Sequence, residues 1–203
     1  MSVLERILRG EGFRSIAGTD EVGRGCLAGP VVAAAVILPG DVLPGVNDSK
    51  ILNHEQRQSL CSAVLRSALA VGIGVVDAET IDRINILRAS KLAMRIAVEN
   101  LAIRPDVLLV DAVIVESLQM PQVPLIEGDR RSVSVAAASI VAKVYRDLLM
   151  ESYHRCYPHY DFSNNRGYAT ESHIRALARF GSTPIHRRSF DGVEEPRLFE
   201  TSH

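Results

Sequence analysis

Asp20 and Glu21 stand side by side at the end of a strand-like run, and Gly23-Arg24-Gly25 follows almost at once. Two further acids, Asp111 and Asp129, close later apolar runs. Carboxylates gathered at strand ends repel one another and raise each other's pKa, so such a set is costly unless a cation shares it. A hard ion such as Mg2+ takes oxygen ligands and keeps several waters, which leaves room for a substrate phosphate. Two such ions roughly 4 Å apart activate a water and stabilise the leaving oxygen of an in-line displacement. No His/Cys cluster in the chain has zinc-ligand spacing. The glycines at 23 and 25 let backbone N–H groups approach a ligand closely, with Arg24 between them. The chemistry implied is metal-dependent phosphodiester hydrolysis with Mg2+ or Mn2+. One condition attaches to the first pair. Neighbouring strand residues point to opposite faces, so Asp20 and Glu21 share a site only if the strand bends or ends there.

Other residues suit phosphate or sugar contacts. Lys50 lies in the polar loop Asn47-Asp48-Ser49-Lys50 and can reach a phosphate, or simply face solvent. Ser139 and Lys143 share a helix face at i, i+4, and Arg146 follows one turn on. They can hold phosphates, or pair with Asp147. Tyr168 precedes a helix in Asn165-Arg166-Gly167-Tyr168-Ala169-Thr170. An aromatic ring there stacks on a sugar or base, unless it packs into the core.

The elements that must carry these residues are legible. Ser15–Glu21 and Val31–Leu38 read as strands joined by the glycine-rich connection 23–30, which suits an antiparallel hairpin. Asn53 reads as a helix N-cap, with Gln56 completing a capping box, and that helix runs to about Ala70. Val71–Val76 is a third strand. A helix is expected from Ile84 to about Ala102, ended by Pro105. Val107–Val110 and Val123–Ile126 are short apolar strands, of the kind buried on both faces. Ser134 to Tyr157 is a long helix, and Thr170 caps another that ends at Phe180 with Gly181 beyond. The order predicts an α/β fold: a central mixed five-stranded sheet flanked by helices, with a helical C-terminal region. Ligands of open α/β sheets gather at the carboxyl ends of the strands, where Asp111 and Asp129 fall.

The chain has 203 residues, 47% of them hydrophobic, with a net charge of -1. That is enough for a sizeable core and leaves no global basic field to attract nucleic acid. The charge is uneven, however. Between Arg166 and Phe190 five arginines stand against one acid, Glu171, a local excess of four positive charges. Such a patch can attract a polyanion. Three widely spaced cysteines, Cys26, Cys61 and Cys156, fit reduced thiols in the cytoplasm. No signal-peptide core opens the sequence, and the longest apolar runs are too short for a bilayer, so no membrane association is expected.

Taken together these blocks resemble the ribonuclease HII family of type 2 ribonucleases H, across nearly the whole chain. The matching blocks stand in the family's order. They are Gly18–Gly25 with Ala28-Gly29-Pro30, Asn47–Lys50, Ile84–Leu87 with Ala93-Met94, Val110-Asp111, Gly128-Asp129, Ala136–Lys143 with Arg146-Asp147, Gly167–Thr170 with His173, and His186–Phe190. The resemblance implies a ribonuclease H-like fold. It implies that Asp20, Glu21, Asp111 and Asp129 are the metal-binding catalytic set. Further, it implies that Gly23-Arg24-Gly25 and Tyr168 recognise the junction between a ribonucleotide and the next deoxynucleotide. The 2′-OH is what separates RNA from DNA at a given site. The substrates implied are RNA/DNA hybrids and duplex DNA with embedded ribonucleotides, cut 5′ of the ribonucleotide to leave a 3′-OH and a 5′-phosphate, as in ribonucleotide excision repair. A monomer is expected, with residues 1–157 as catalytic core, 158–193 as substrate-binding region and 194–203 as a flexible tail. No sliding-clamp peptide stands out in that tail, which leaves a clamp partner open.

One departure concerns position 112. The family often has glycine after the third acid, whereas this chain has Ala112. The related ribonuclease HIII carries an extra N-terminal domain and usually lysine between the two glycines. About 15 residues precede the first strand here and Arg24 takes the lysine position, both of which favour type HII. Two other classes compete. A 3′–5′ exonuclease of similar fold also uses four acids but has no need of Gly-Arg-Gly or the tyrosine block. A phosphate-binding module using the glycine turn alone leaves Asp111 and Asp129 without a task.

Overall fold

The computed structural model describes residues 3–40 and 53–193. In chain order the elements are α1 (Val3–Gly10), β1 (Ile16–Val22), β2 (Val31–Ile37), α2 (His54–Ser67), β3 (Ala70–Val76), α3 (Ala78–Ile84), α4 (Ile86–Glu99), β4 (Val107–Asp111), β5 (Gln122–Leu125), α5 (Gly128–Arg131), α6 (Val133–Cys156), α7 (Phe162–Asn165) and α8 (Glu171–Phe180), with a 3-10 turn at Pro158–Tyr160. The five expected strands form one sheet in the order β3-β2-β1-β4-β5. β1, β2 and β3 are antiparallel neighbours, while β4 runs parallel to β1 and to β5. The sheet is therefore mixed, as expected.

Strand β2 is buried along its whole length because helices cover both faces. Its alternate residues divide between two cores. Val31, Ala33, Ala35 and Ile37 pack with α4 through Ala93, Met94 and Ala97. Val32, Ala34 and Val36 pack with α6 through Ala136, Ala137 and Ile140. Small residues let α6 lie close to the sheet. A methyl group at Gly18 would come within 2.2 Å of the Ser134 carbonyl carbon. The first turn of α6 thus rests on the strand that ends in the first two acids.

Three local features depart from expectation. The helix expected over 84–102 is two helices, α3 and α4. Asn85 takes φ +69 between them and its side chain caps α4 by accepting from the Arg88 N–H at 3.1 Å. Helix α1 was not foreseen. Its Glu5 is buried and accepts from Ser132 Oγ and the Ser134 N–H, at the start of α6. An acid there suits the positive end of a helix dipole. Ala112 takes φ +61, a left-handed backbone that glycine adopts more readily. That accounts physically for a glycine preference at this position. The capping box of α2 forms as expected from Asn53 and Gln56, and Gly181 ends α8 at φ +76.

Candidate active site

Asp20 and Asp111 are brought together by strand pairing. β1 and β4 run parallel, and their last paired residues are Thr19 and Val110. One step further, Asp20 and Asp111 leave neighbouring strands at the same end of the sheet. Beyond that point β1 stays paired with β2 through Val22, so the strand does not end at the acid pair; Glu21 is nonetheless within electrostatic reach of Asp20 and Asp111. Asp111 Oδ1 accepts the Gly128 N–H at 2.7 Å, so the turn holding Asp129 is tied to the third acid. Asp129 is buried at that turn. Residues beside both later acids, Ala112 and Glu127, have left-handed backbones (φ +61 and +54). Strain of this kind is a frequent mark of functional sites.

The electrostatics show the cost of gathering these groups. Burial, then repulsion from Glu21, raises the Asp20 carboxyl to about 8; Asp111 adds to the rise, and a hydrogen bond from Ser139 opposes it. Burial also raises Glu21, while the Arg24 guanidinium pulls it down. Arg24 donates to Glu21 Oε1 at 3.2 Å. Glu21 Oε2 is buried with no hydrogen-bond partner. A buried carboxylate oxygen without a donor is an unfavourable arrangement in a protein alone. It suits a carboxylate that ligates a cation. Among the described residues no group of three or more His, Cys, Asp or Glu side chains is arranged to hold a metal ion by itself. An open set of carboxylates fits Mg2+ or Mn2+, which retain waters and take substrate oxygens. The residues present therefore fit divalent ions.

Each remaining candidate has a definite place. Ser139 faces Asp20 rather than a free surface. Lys143 pairs with Asp147 at 2.7 Å and keeps about a quarter of its side chain exposed. Arg146 is a correction. It is fully buried and donates to the carbonyls of Pro30 (2.9 Å), Arg166 (2.8 Å) and Ala28 (3.1 Å), so its guanidinium shapes the protein instead of meeting a phosphate. Lys50 lies outside the described residues.

Part of the expected basic patch is likewise engaged within the fold. Arg166 is held by Asp147 and Glu151, Arg175 by Glu171, and Arg187 is fully buried. Arg187 is a residue sequence reasoning did not single out. It donates to the carbonyls of Gly23 (2.6 Å), Arg24 (2.8 Å) and Gly29 (2.9 and 3.0 Å). The Gly23–Gly25 turn is thus clamped from beneath. Gly23 takes φ +93, and a methyl there would come within 2.2 Å of Arg146 Nε, so only glycine fits above the two arginines. Gly25 has open space where a methyl would be, on the exposed side of the turn.

Tyr168 stands next to that turn. Its hydroxyl is within hydrogen-bonding reach of the Cys26 thiol, and the preceding Gly167 carbonyl accepts the N–H groups of Leu27 and Ala28 at 2.8 and 3.3 Å. Its side chain remains substantially exposed (42%), as a ring that meets a ligand must be. The structure therefore brings together Asp20, Glu21, Asp111, the glycine turn and Tyr168.

Comparison with known proteins bears on the fold and the family. The ribonuclease HII family model matches residues 17–193. Ribonuclease HII of Enterococcus faecalis is 52% identical over 196 residues, spanning 96% of this chain and 76% of its own length. Among solved structures, ribonuclease H2 of Pyrococcus horikoshii superposes with a TM-score of 0.76 at 27% identity, covering 88% of this chain and 95% of its own. An Archaeoglobus fulgidus RNase HII, solved in complex with PCNA, gives a TM-score of 0.70 at 26% identity, covering 90% and 98%. No helix among the described residues is long and apolar enough to cross a membrane.

Proposed function

The chain belongs to the ribonuclease HII family and is a metal-dependent nuclease that hydrolyses RNA; from that premise we propose that it cuts RNA/DNA hybrids and also 5′ of single ribonucleotides in duplex DNA, leaving a 3′-OH and a 5′-phosphate. Asp20, Glu21, Asp111 and Asp129 hold two divalent ions in this reading. When bound, the ions supply an activated water and neutralise charge on the attacking and leaving oxygens of an in-line displacement. The observation that carries the assignment is the buried, unpartnered Glu21 Oε2 beside Asp20 and Asp111.

The protein's own part is orientation. The clamped turn offers backbone groups of Gly23, Arg24 and Gly25 to the 2′-OH, whose reach depends on glycine's missing side chain. The Tyr168 ring stacks on the following sugar, which lacks that hydroxyl. Arg24, at the centre of this turn, donates to Glu21 and so links the turn to the ion site. Lys143, part-exposed on α6, is a cation for the phosphate backbone. Residues 158–193 act as the substrate-binding region on a catalytic core of 1–157. The three cysteines are free thiols, which suits a cytoplasmic enzyme of ribonucleotide excision repair.

The test is a labelled DNA duplex holding one ribonucleotide, incubated with Mg2+ or with chelator. A single internal cut 5′ of the ribonucleotide, with the stated end groups and full dependence on the ion, is expected. Stepwise shortening from the 3′ end would instead mean an exonuclease.

A further inference from the structure

Tyr168 is held by a chain of hydrogen bonds that runs through two buried histidines. The Thr183 backbone N–H donates to His186 Nδ1 at 2.9 Å. A backbone N–H can only donate, so this nitrogen carries no proton. A neutral His186 then carries its proton on Nε2, which lies 3.1 Å from His173 Nε2. On the far side, His173 Nδ1 lies 2.8 Å from the Tyr168 carbonyl oxygen. A carbonyl can only accept, so Nδ1 of His173 holds a proton and its Nε2 is bare. Every link is then satisfied in one direction: Thr183 N–H to His186, His186 Nε2–H to His173, His173 Nδ1–H to the carbonyl of Tyr168. Burial holds both imidazoles below their ordinary pKa, His186 at about 4, so the neutral forms that this chain requires persist at neutral pH.

The same histidines sit on the other half of the site. His186 bridges Ala28 as an isolated β pair, and Arg187, the next residue, clamps the glycine turn. Both rings lie in an aromatic pocket with Tyr160 and Phe162, which fixes their planes. The Tyr168 carbonyl also accepts the Thr170 N–H at 2.8 Å, so the backbone that carries the ring is pinned twice.

We propose that His173 and His186 are positioning residues for ribonucleotide selectivity: their fixed, opposite tautomers hold the backbone of Tyr168 so that its ring meets the substrate sugar beside the Gly23–Gly25 turn. The inference rests on the role given to Tyr168 above. His186→Phe removes the Nε2 donor while keeping a ring suited to the aromatic pocket. His173 Nε2 then lacks its donor, and the ring keeps only one of its two hydrogen bonds, that from Nδ1 to the Tyr168 carbonyl.

The experiment compares cleavage at a single ribonucleotide with cleavage of a long RNA/DNA hybrid, in the full-length protein. Tyr168→Ala should lower the ratio of the two rates by roughly tenfold, the order of one stacking contact. His186→Phe should lower the same ratio by roughly threefold or more, and the double variant should fall no further than Tyr168→Ala alone. His186→Gln, whose amide restores an N–H donor toward His173, should recover most of the loss. An unchanged ratio in Tyr168→Ala refutes the role of Tyr168 itself. A normal ratio in His186→Phe beside a selective loss in Tyr168→Ala overturns the relay. Ring 15N shifts of the wild-type protein at pH 7 decide the matter without any variant: protonated Nδ1 on His173 and protonated Nε2 on His186 support it, and any other pair of tautomers sinks it.

Discussion

Asp111→Asn tests the acid set with little disturbance of the fold. The side chain keeps its size, and Oδ1 of the amide can go on accepting the Gly128 N–H that Asp111 accepts at 2.7 Å. What disappears is one negative charge. At about 4 Å and an effective dielectric near 20, a unit charge pair is worth about 4 kcal/mol. That is about three decades in rate or ion affinity, and more for a divalent ion. A second consequence separates charge from structure. Asp111 is one of the groups whose repulsion raises Asp20 and Glu21. Removing it relieves the metal-free protein, so chelated Asp111→Asn should melt no lower than wild type at pH 8, and higher if repulsion dominates. The assay is single-turnover cleavage of a labelled RNA/DNA hybrid over a Mg2+ titration, with melting curves in chelator. A rate within tenfold of wild type at saturating Mg2+ would refute the ligand role. Lost activity with a collapsed melting temperature would make Asp111 a structural acid instead.

Four further outcomes follow from the same geometry. The Asp20 carboxyl, raised from 3.8 to about 8, contributes stability to the metal-free fold that is complete below pH 4 and is lost as pH rises through about 8; the gain in melting temperature on adding Mg2+ should therefore grow from pH 6 to pH 9, and a pH-independent gain would contradict the assignment. Arg187→Ala orphans three carbonyls, of Gly23, Arg24 and Gly29, at roughly 1–3 kcal/mol each, so a fall in melting temperature of about 6 °C or more is expected, with Arg187→Lys recovering only part because one ammonium replaces a planar fork. Lys143→Ala should flatten the salt dependence of hybrid binding by about one unit of log–log slope, whereas Arg146→Ala should lower stability, since its guanidinium is fully engaged with backbone carbonyls.

The sheet and the place of Asp111 at a strand end were legible because their signals are local. An apolar run that ends in a carboxylate marks both a buried strand and what stands at its tip, as at Val107–Asp111. Asn53 and Gln56 announce a helix start within four residues. Arg146 shows where such reading stops. Helical spacing puts it one turn beyond Lys143, but not on which side of α6 the solvent lies. Here one side is closed by the loop at 28–30 and by residue 166, both far away in sequence. The roles of Arg187 and of the His173–His186 pair are likewise fixed by partners brought together only in the folded chain. At Asn85 the signal was present, since asparagine tolerates a left-handed backbone and caps helices, but the apolar periodicity on either side masked it.

The arginine clamp also orders events in time. The sheet contacts and the carboxylates lie within the first 131 residues, yet the glycine turn receives its hydrogen bonds from Arg187, 158 to 164 positions later in the chain. During synthesis, which proceeds from the N-terminus, the acid rim can assemble while the turn is still without its supports. Contacts of such long separation are also the slow ones to form. All four acids thus precede residue 187 in the chain, and the glycine turn cannot have its full set of hydrogen bonds until that arginine has been made. A nascent chain that has not yet released residue 187 holds the acids without the clamp that shapes the turn.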